Sequence, residues 1–322
     1  MSILHRELSE KALMMPTRDA FGKGTIEAAK NNDIYVLTSD VAGSVRADWF
    51  AKVYPERFIE LGIAEQNLVA VAAGMAISGK IAYASTFGVF LSGRVWDQVR
   101  VLAAYSQTNI KLVATHTGVT VGEDGATHQA LEDIALMRVL PNMTVIVPAD
   151  YTEAFQAVVA AAKIPGPVYI RLGRSSGPLI FSDEYEFVPG KAALVNNGHD
   201  LTIIACGMMV YEALLAARQL REKGISARVL NLSTIKPLDK EALLSAARET
   251  RAIITVEEHQ IAGGMGSAVA EFLSQNESVP MEMMGIKDKF GISGNADALL
   301  DYYQLRAPYI VKAAEMVISR KR

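Results

Sequence analysis

Short apolar runs rich in valine and isoleucine alternate along this chain with stretches of helical period. In the first half, runs at 34–38, 81–85, 111–115, 144–147 and 168–171 read as strands. Helical patterns cover 17–31, 65–77, 95–105, 130–138 and 151–163 between them. The strand runs lack polar alternation, so each predicts a strand covered on both faces. That pattern implies a parallel sheet between layers of helices, and the fold class expected is α/β. The second half repeats the scheme on a smaller scale. Its strands are expected at 201–205, 227–231, 252–257 and 280–285, and its helices at 211–223, 240–250, 266–275 and 308–319. Pro308 suits the first position of that last helix, where a missing N–H costs nothing. Between the halves, Gly177, Pro178, Pro189 and Gly190 surround an acidic cluster of Asp183, Glu184 and Glu186. This predicts two parallel-sheet-type α/β domains, residues 1–185 and 190–322.

A length of 322 residues fits two domains. Charged residues make up 21% of the chain and the net charge is −3, so neither a nucleic acid nor an acidic membrane is expected as a partner. The single cysteine, Cys206, excludes an intrachain disulfide and leaves no thiolate cluster for zinc. It reads as a small buried hydrophobe. Residues 1–18 are charged every few positions and lack an apolar core, so no signal peptide is read there. The apolar runs are too short to span a bilayer, and a cytoplasmic location is expected.

Residues 57–150 carry the candidate chemistry. Glu65 stands in ELGIAEQN beside an apolar run, and by itself reads as a first-turn acid complementing the helix dipole. Phe87 and Phe90, in STFGVF, would ordinarily be core. His116 follows a strand in ATHTG, and Asp124 and His128 lie in VGEDGATHQ, both glycine-broken loops. Parallel sheets bind ligands at loops placed this way. His116, Asp124 and His128 lack the i, i+4 spacing of helical zinc sites, so no metal is assigned to them. A core does not need this set. A site that protonates an aromatic ring and holds a polyhydroxylated substrate does. GGMGSAVAEF, from Gly263, has a partial dinucleotide fingerprint, but its third small residue comes one position early. Close packing at a helix entry explains it.

The order and spacing of these motifs closely resemble the pyrimidine-binding domain of the transketolase family of thiamine diphosphate enzymes. TIKPLD, TVEEH and GIKDKFGISG resemble the C-terminal domain of the same family, so the likeness covers nearly the whole chain. The resemblance implies that Glu65 bonds the aminopyrimidine N1′ of the cofactor and promotes loss of its thiazolium C2 proton. Leu68, Val69 and Val71 would surround that carboxylate with apolar groups, a setting that raises a carboxyl pKa. Phe87 and Phe90 would hold the pyrimidine ring, and Asp40 would lie beside the thiazolium. His116 would face the substrate phosphate with Arg18, Ser44 and Arg171. Asp124 would meet a sugar hydroxyl, and His128 would stand near the reacting carbonyl. One departure is visible. The family pattern has a tyrosine three residues after the second phenylalanine, and here Gly93 stands there, followed by Arg94. Trp96 and Tyr105 are the aromatic candidates to replace it.

A complete transketolase is about twice this length and begins with a domain whose GDG motif helps hold Mg2+ on the diphosphate. This chain has no GDG; the EDG from Glu123 belongs to the substrate loop. A diphosphate needs a metal or a dense set of donors. The resemblance therefore implies the C-terminal subunit of a split transketolase, completed by a GDG-bearing subunit in an α2β2 assembly. Its reaction would transfer a two-carbon ketol unit between phosphorylated sugars. Alternatives are a 1-deoxyxylulose-5-phosphate synthase-like enzyme, the β subunit of a 2-oxoacid dehydrogenase E1 component, and a non-catalytic regulatory subunit.

Overall fold

The computed structural model of the chain describes Leu4 and residues 13–321. The remaining N-terminal residues, which include most of the segment expected to lack a leader, lie outside the described residues. Strands are numbered in chain order. The first eight are β1 (Met14–Pro16), β2 (Ile34–Thr38), β3 (Phe58–Glu60), β4 (Ile81–Phe87), β5 (Ile110–Thr115), β6 (Thr144–Ile146), β7 (Val168–Arg171) and β8 (Ser176–Pro178). The later ones are β9 (Ala193–Asn196), β10 (Leu201–Ala205), β11 (Ala227–Asn231), β12 (Thr234–Lys236), β13 (Ile253–Gln260) and β14 (Met281–Ile286).

One sheet runs β12-β6-β7-β5-β4-β2-β3 and is parallel except where β12 joins β6. The other runs β14-β13-β10-β11-β9 and is parallel except at β9. β1 and β8 form a small antiparallel ribbon. The molecule is thus two α/β units with mixed, mostly parallel sheets. Every residue of β5, β7 and β10 is buried, as two-sided coverage requires. Lys111 in β5 meets that demand by donating its Nζ to Ile164 O at 2.5 Å and Gly166 O at 2.8 Å, and burial lowers its pKa to about 7.

The short strands β1, β3, β8 and β9 and the helices Ala42–Val45, Ala47–Val53 and Ala296–Tyr302 were not expected, and two further features depart from the expected elements. Strand β12 lies in the second half of the chain yet completes the edge of the first sheet. The helix expected over 95–105 is a short α-helical turn, Trp96–Gln98, between two wide π-helical stretches, Phe90–Arg94 and Val99–Tyr105. Wide turns of this kind recur near functional sites. Among the described residues, no helix is long and apolar enough to cross a membrane.

A buried ion pair ties the units together. Arg171, at the end of β7, donates Nε to Asp133 Oδ2 at 2.9 Å, and Tyr169 donates its hydroxyl to the same oxygen at 2.7 Å. Arg171 Nη2 reaches Ala130 O at 3.1 Å in the first unit and Glu258 O at 3.0 Å in the second. His259 Nε2 accepts from the Ile134 and Ala135 amides, so its proton sits on Nδ1, 2.7 Å from Gln260 O. Burial lowers the His259 pKa to about 4, in keeping with a neutral ring.

Removing one partner of a buried pair leaves an uncompensated charge and costs about 3–5 kcal/mol. Arg171→Ala should therefore lower the thermal midpoint by roughly ten degrees. Arg171→Lys should recover only part of it, because a point charge cannot reproduce the fork. A midpoint within a degree of wild type would contradict this role.

Candidate functional site

The carboxyl ends of β2, β4, β5 and β7 open toward one region, and the loops that follow them carry most of the candidate side chains. Glu65 begins the helix Glu65–Ile77, and its side chain is only 6% exposed. Leu68 and Val69 beneath it are fully buried, while Val71 is half-buried. The setting is not wholly apolar. Arg94 donates Nη1 to Glu65 Oε1 at 2.9 Å and lays its guanidinium 4.2 Å from the Phe90 ring centre. Glu65 Oε2 has no hydrogen-bond partner among the described residues.

Phe87 and Phe90 stack with ring centres 6.0 Å apart. His116 lies 4.0 Å from Phe87, and His128 meets Phe90 edge-on at 5.6 Å. Both histidines anchor Nδ1 on the preceding threonine hydroxyl, at 2.8 Å for Thr115 and 2.9 Å for Thr127. His116 sits at φ 57°, a turn that swings its ring back toward the aromatic pair. Burial, followed by the charges of Arg18, Arg174 and neighbouring groups, lowers its pKa to about 3. The ring is neutral at pH 7.

A cationic cluster adjoins His116. Arg18 donates Nη1 to Ser44 O at 3.2 Å, and its buried Nε has no partner among the described residues. Arg46 donates to Asp19 at 2.7 Å. Arg174 donates Nη1 to Val121 O at 2.6 Å and lies 3.6 Å from Asp124. An orphaned, buried guanidinium N–H beside a second arginine and a neutral imidazole suits an anion.

Two family models match the chain: the transketolase pyrimidine-binding domain over residues 14–178 and the transketolase C-terminal domain over residues 190–310. The chain belongs to the transketolase family. It is 46% identical over 299 residues to a putative transketolase C-terminal section of Methanocaldococcus jannaschii, covering 92% of this chain and 94% of that protein. It is 44% identical over 303 residues to a subunit of the apulose-4-phosphate transketolase of Phocaeicola vulgatus, covering 94% of this chain and 97% of that subunit. A solved structure described as a split gene transketolase, inactive beta4 tetramer, superposes with TM-score 0.90 at 47% identity, covering 96% of this chain and all of that one.

As a transketolase pyrimidine-binding unit, the chain brings together Glu65, Phe87, Phe90, His116 and His128, with Arg18 and Ser44 at one side. Asp124 is exposed at the rim, and Asp40, at φ 59°, donates its amide to Glu60 Oε1 at 2.7 Å where β2 ends. The phosphate contact expected at Arg171 needs correcting. That guanidinium is committed to Asp133, Ala130 O and Glu258 O, and its side chain is 6% exposed. Arg174, three residues further on, points to the cluster instead. Neither aromatic candidate replaces the missing tyrosine: Trp96 donates Nε1 to Leu136 O, and Tyr105 is 81% exposed. Arg94 and Arg174 are the residues that sequence reasoning missed.

The glycine-rich segment of the second domain is closed to a nucleotide phosphate. Glu257 fills that helix start, accepting the Met265 and Gly266 amides at 2.7 and 2.8 Å. Burial raises its pKa to about 7. Cys206 is buried. Among the described residues, no group of three or more His, Cys, Asp and Glu side chains could hold a metal ion.

The His116 ring should stay neutral down to pH 5, as read from ring carbon shifts in histidine-labelled protein. Arg174→Ala removes a cation that disfavours the imidazolium, so the titration should move upward. It should remain below the ordinary histidine value of about 6.5, because burial is the larger cause. Titration of His116 near pH 6.5 in the wild type would contradict the burial account.

Proposed function

We propose that this chain is the pyrimidine-binding and C-terminal half, residues 1–185 and 190–322, of a split thiamine diphosphate-dependent transketolase. The observation that carries the reading is the juxtaposition of a nearly buried carboxylate, two stacked phenylalanines and two histidines with a cationic cluster alongside. The residues fit the cofactor's ring: Glu65 Oε2 is unpartnered among the described residues, and Phe87 and Phe90 bring aromatic rings to the same site. Among the described residues no side-chain group could hold a metal on the diphosphate, and a GDG-bearing subunit would hold it with Mg2+, in an α2β2 assembly. Relatives named as a C-terminal section and as one subunit of a transketolase support a divided enzyme.

Thiamine diphosphate, when bound, supplies the carbon nucleophile that takes up the two-carbon ketol unit. Glu65 would bond the pyrimidine N1′ and exchange a proton with it, and Phe87 and Phe90 would hold the ring. Asp40 would border the thiazolium. His128 stands by the reacting carbonyl, where it can pass a proton. Neutral His116 bridges the ring pocket and the arginine cluster. Arg18, Ser44 and Arg174 hold the sugar phosphate, and Asp124 takes a hydroxyl at the rim.

The chain alone, given thiamine diphosphate and Mg2+, should show negligible ketol transfer, and adding the GDG-bearing subunit should restore it. In the restored enzyme, Glu65→Gln should lower kcat about 10²–10⁴-fold and slow exchange of the cofactor C2 proton in parallel. Unchanged exchange would reduce Glu65 to a helix-terminal acid.

Arg174→Ala should raise KM for a phosphorylated ketose roughly tenfold to a hundredfold with kcat little changed, the pattern of a contact felt equally in ground and transition states. An unphosphorylated ketose should be almost unaffected. Equal losses with both substrates would remove Arg174 from the phosphate site.

A further inference from the structure

The resemblance leads one to expect a tyrosine at position 93, and Gly93 stands there. A Cβ added at Gly93 would meet nothing within 4 Å. The next residue turns into the pocket instead. Phe90 and Arg94 bound the same π-helical turn, Phe90–Arg94, which places the guanidinium back over the ring. Arg94 then makes two contacts at once: its Cζ lies 4.2 Å from the Phe90 centroid, and Nη1 is 2.9 Å from Glu65 Oε1. The side chain stays 47% exposed. It engages only one oxygen of Glu65, and Oε2 keeps its lone pairs for another donor.

We propose that Arg94 is the third wall of the ring pocket and the positioning residue of Glu65, standing in for the aromatic side chain that Gly93 lacks. This rests on the reading of the site as a thiamine diphosphate pocket. The chemistry suits the task. A guanidinium is flat, stacks on aromatic faces and donates in its own plane. It can border an aminopyrimidine as a tyrosine ring would. It also fixes the torsion of the Glu65 carboxylate by a charge-assisted hydrogen bond, which a tyrosine ring face cannot make. Oε2 is thereby left without a protein partner among the described residues and would be free to meet N1′. A lysine would keep the charge and lose the plane.

The test is calorimetric titration of thiamine diphosphate, in Mg2+, into this chain assembled with its diphosphate-binding partner. Arg94→Ala should weaken binding about ten- to a hundredfold, and Arg94→Lys should recover only part of the loss. The discriminating probe is a cofactor analogue with carbon in place of the pyrimidine N1′, which cannot bond Glu65. With that analogue the Arg94→Ala penalty should shrink to a few-fold, because the part transmitted through Glu65 is gone. An equal penalty for cofactor and analogue would overturn the positioning role. Unchanged affinity would overturn the wall as well, and tighter binding would mean that the guanidinium occupies the ring's place and must leave. Should Arg94→Ala fail to fold, Arg94→Lys carries the same comparison. If the wild-type assembly takes up no thiamine diphosphate, the reading of the site itself falls.

Discussion

The buried pair of Arg171 and Asp133 is the constraint on which the candidate site depends. Both side chains lie almost wholly out of water, a setting that an unpaired charge could not tolerate. Their geometry fixes three pieces at once: the end of β7, the start of the helix Asp133–Arg138, and the Glu258 carbonyl of the second domain. The loop holding His116, Asp124 and His128 is strung between those pieces. Thr120 donates its amide to Glu258 Oε1 at 2.5 Å, and Gln129 donates Nε2 to Val119 O and to Ile292 O of the second domain. Gly118, at φ 82°, lies so close to the Glu258 carboxylate that a Cβ there would overlap it. The second domain therefore shapes the loop without contributing a candidate side chain of its own.

That rigidity serves a site with two chemical ends. One end is aromatic and holds a single carboxylate; the other is cationic and leaves a buried guanidinium N–H unpartnered. His116 stands between them and is kept neutral by burial and by the adjacent arginines. A neutral imidazole adds no charge of its own to a cluster that already holds Arg18, Arg46 and Arg174, and it can still bond in both directions. Among the described residues no group of acidic, histidine or cysteine side chains could hold a metal ion, and the proposed function gives the diphosphate end of the cofactor to a second subunit.

Much of this was legible in the sequence where the signal is local and repeated. Long apolar runs placed β2, β5, β7, β10 and β11 to within a residue, because burial on both faces imposes continuous hydrophobicity. Glycine-broken loops after those strands marked where side chains converge. The misses have physical causes. β12 is three residues long, too short for any period, and is held by an edge pairing from another part of the chain. In YIRLGR, both arginines fit a phosphate by residue type. Only the end of β7 decides between them: Arg171 is still in the fully buried strand, and Arg174 is in the loop beyond it. The rule that ligands gather beyond the carboxyl ends of strands would have favoured Arg174. Arg94 was not legible because a π-helical turn, which sequence periodicity does not reveal, brings its guanidinium to Phe90 and Glu65.

The central claim is that this chain supplies the carboxylate and ring pocket while another subunit supplies the diphosphate and metal site. The most direct measurement is a structure of the chain assembled with a GDG-bearing subunit, thiamine diphosphate and Mg2+. The account predicts the pyrimidine N1′ within hydrogen-bond distance of Glu65 Oε2, the ring against Phe90, and Mg2+ ligated by the other subunit. A cofactor bound wholly within either subunit, or one whose pyrimidine lies away from Glu65, would contradict it.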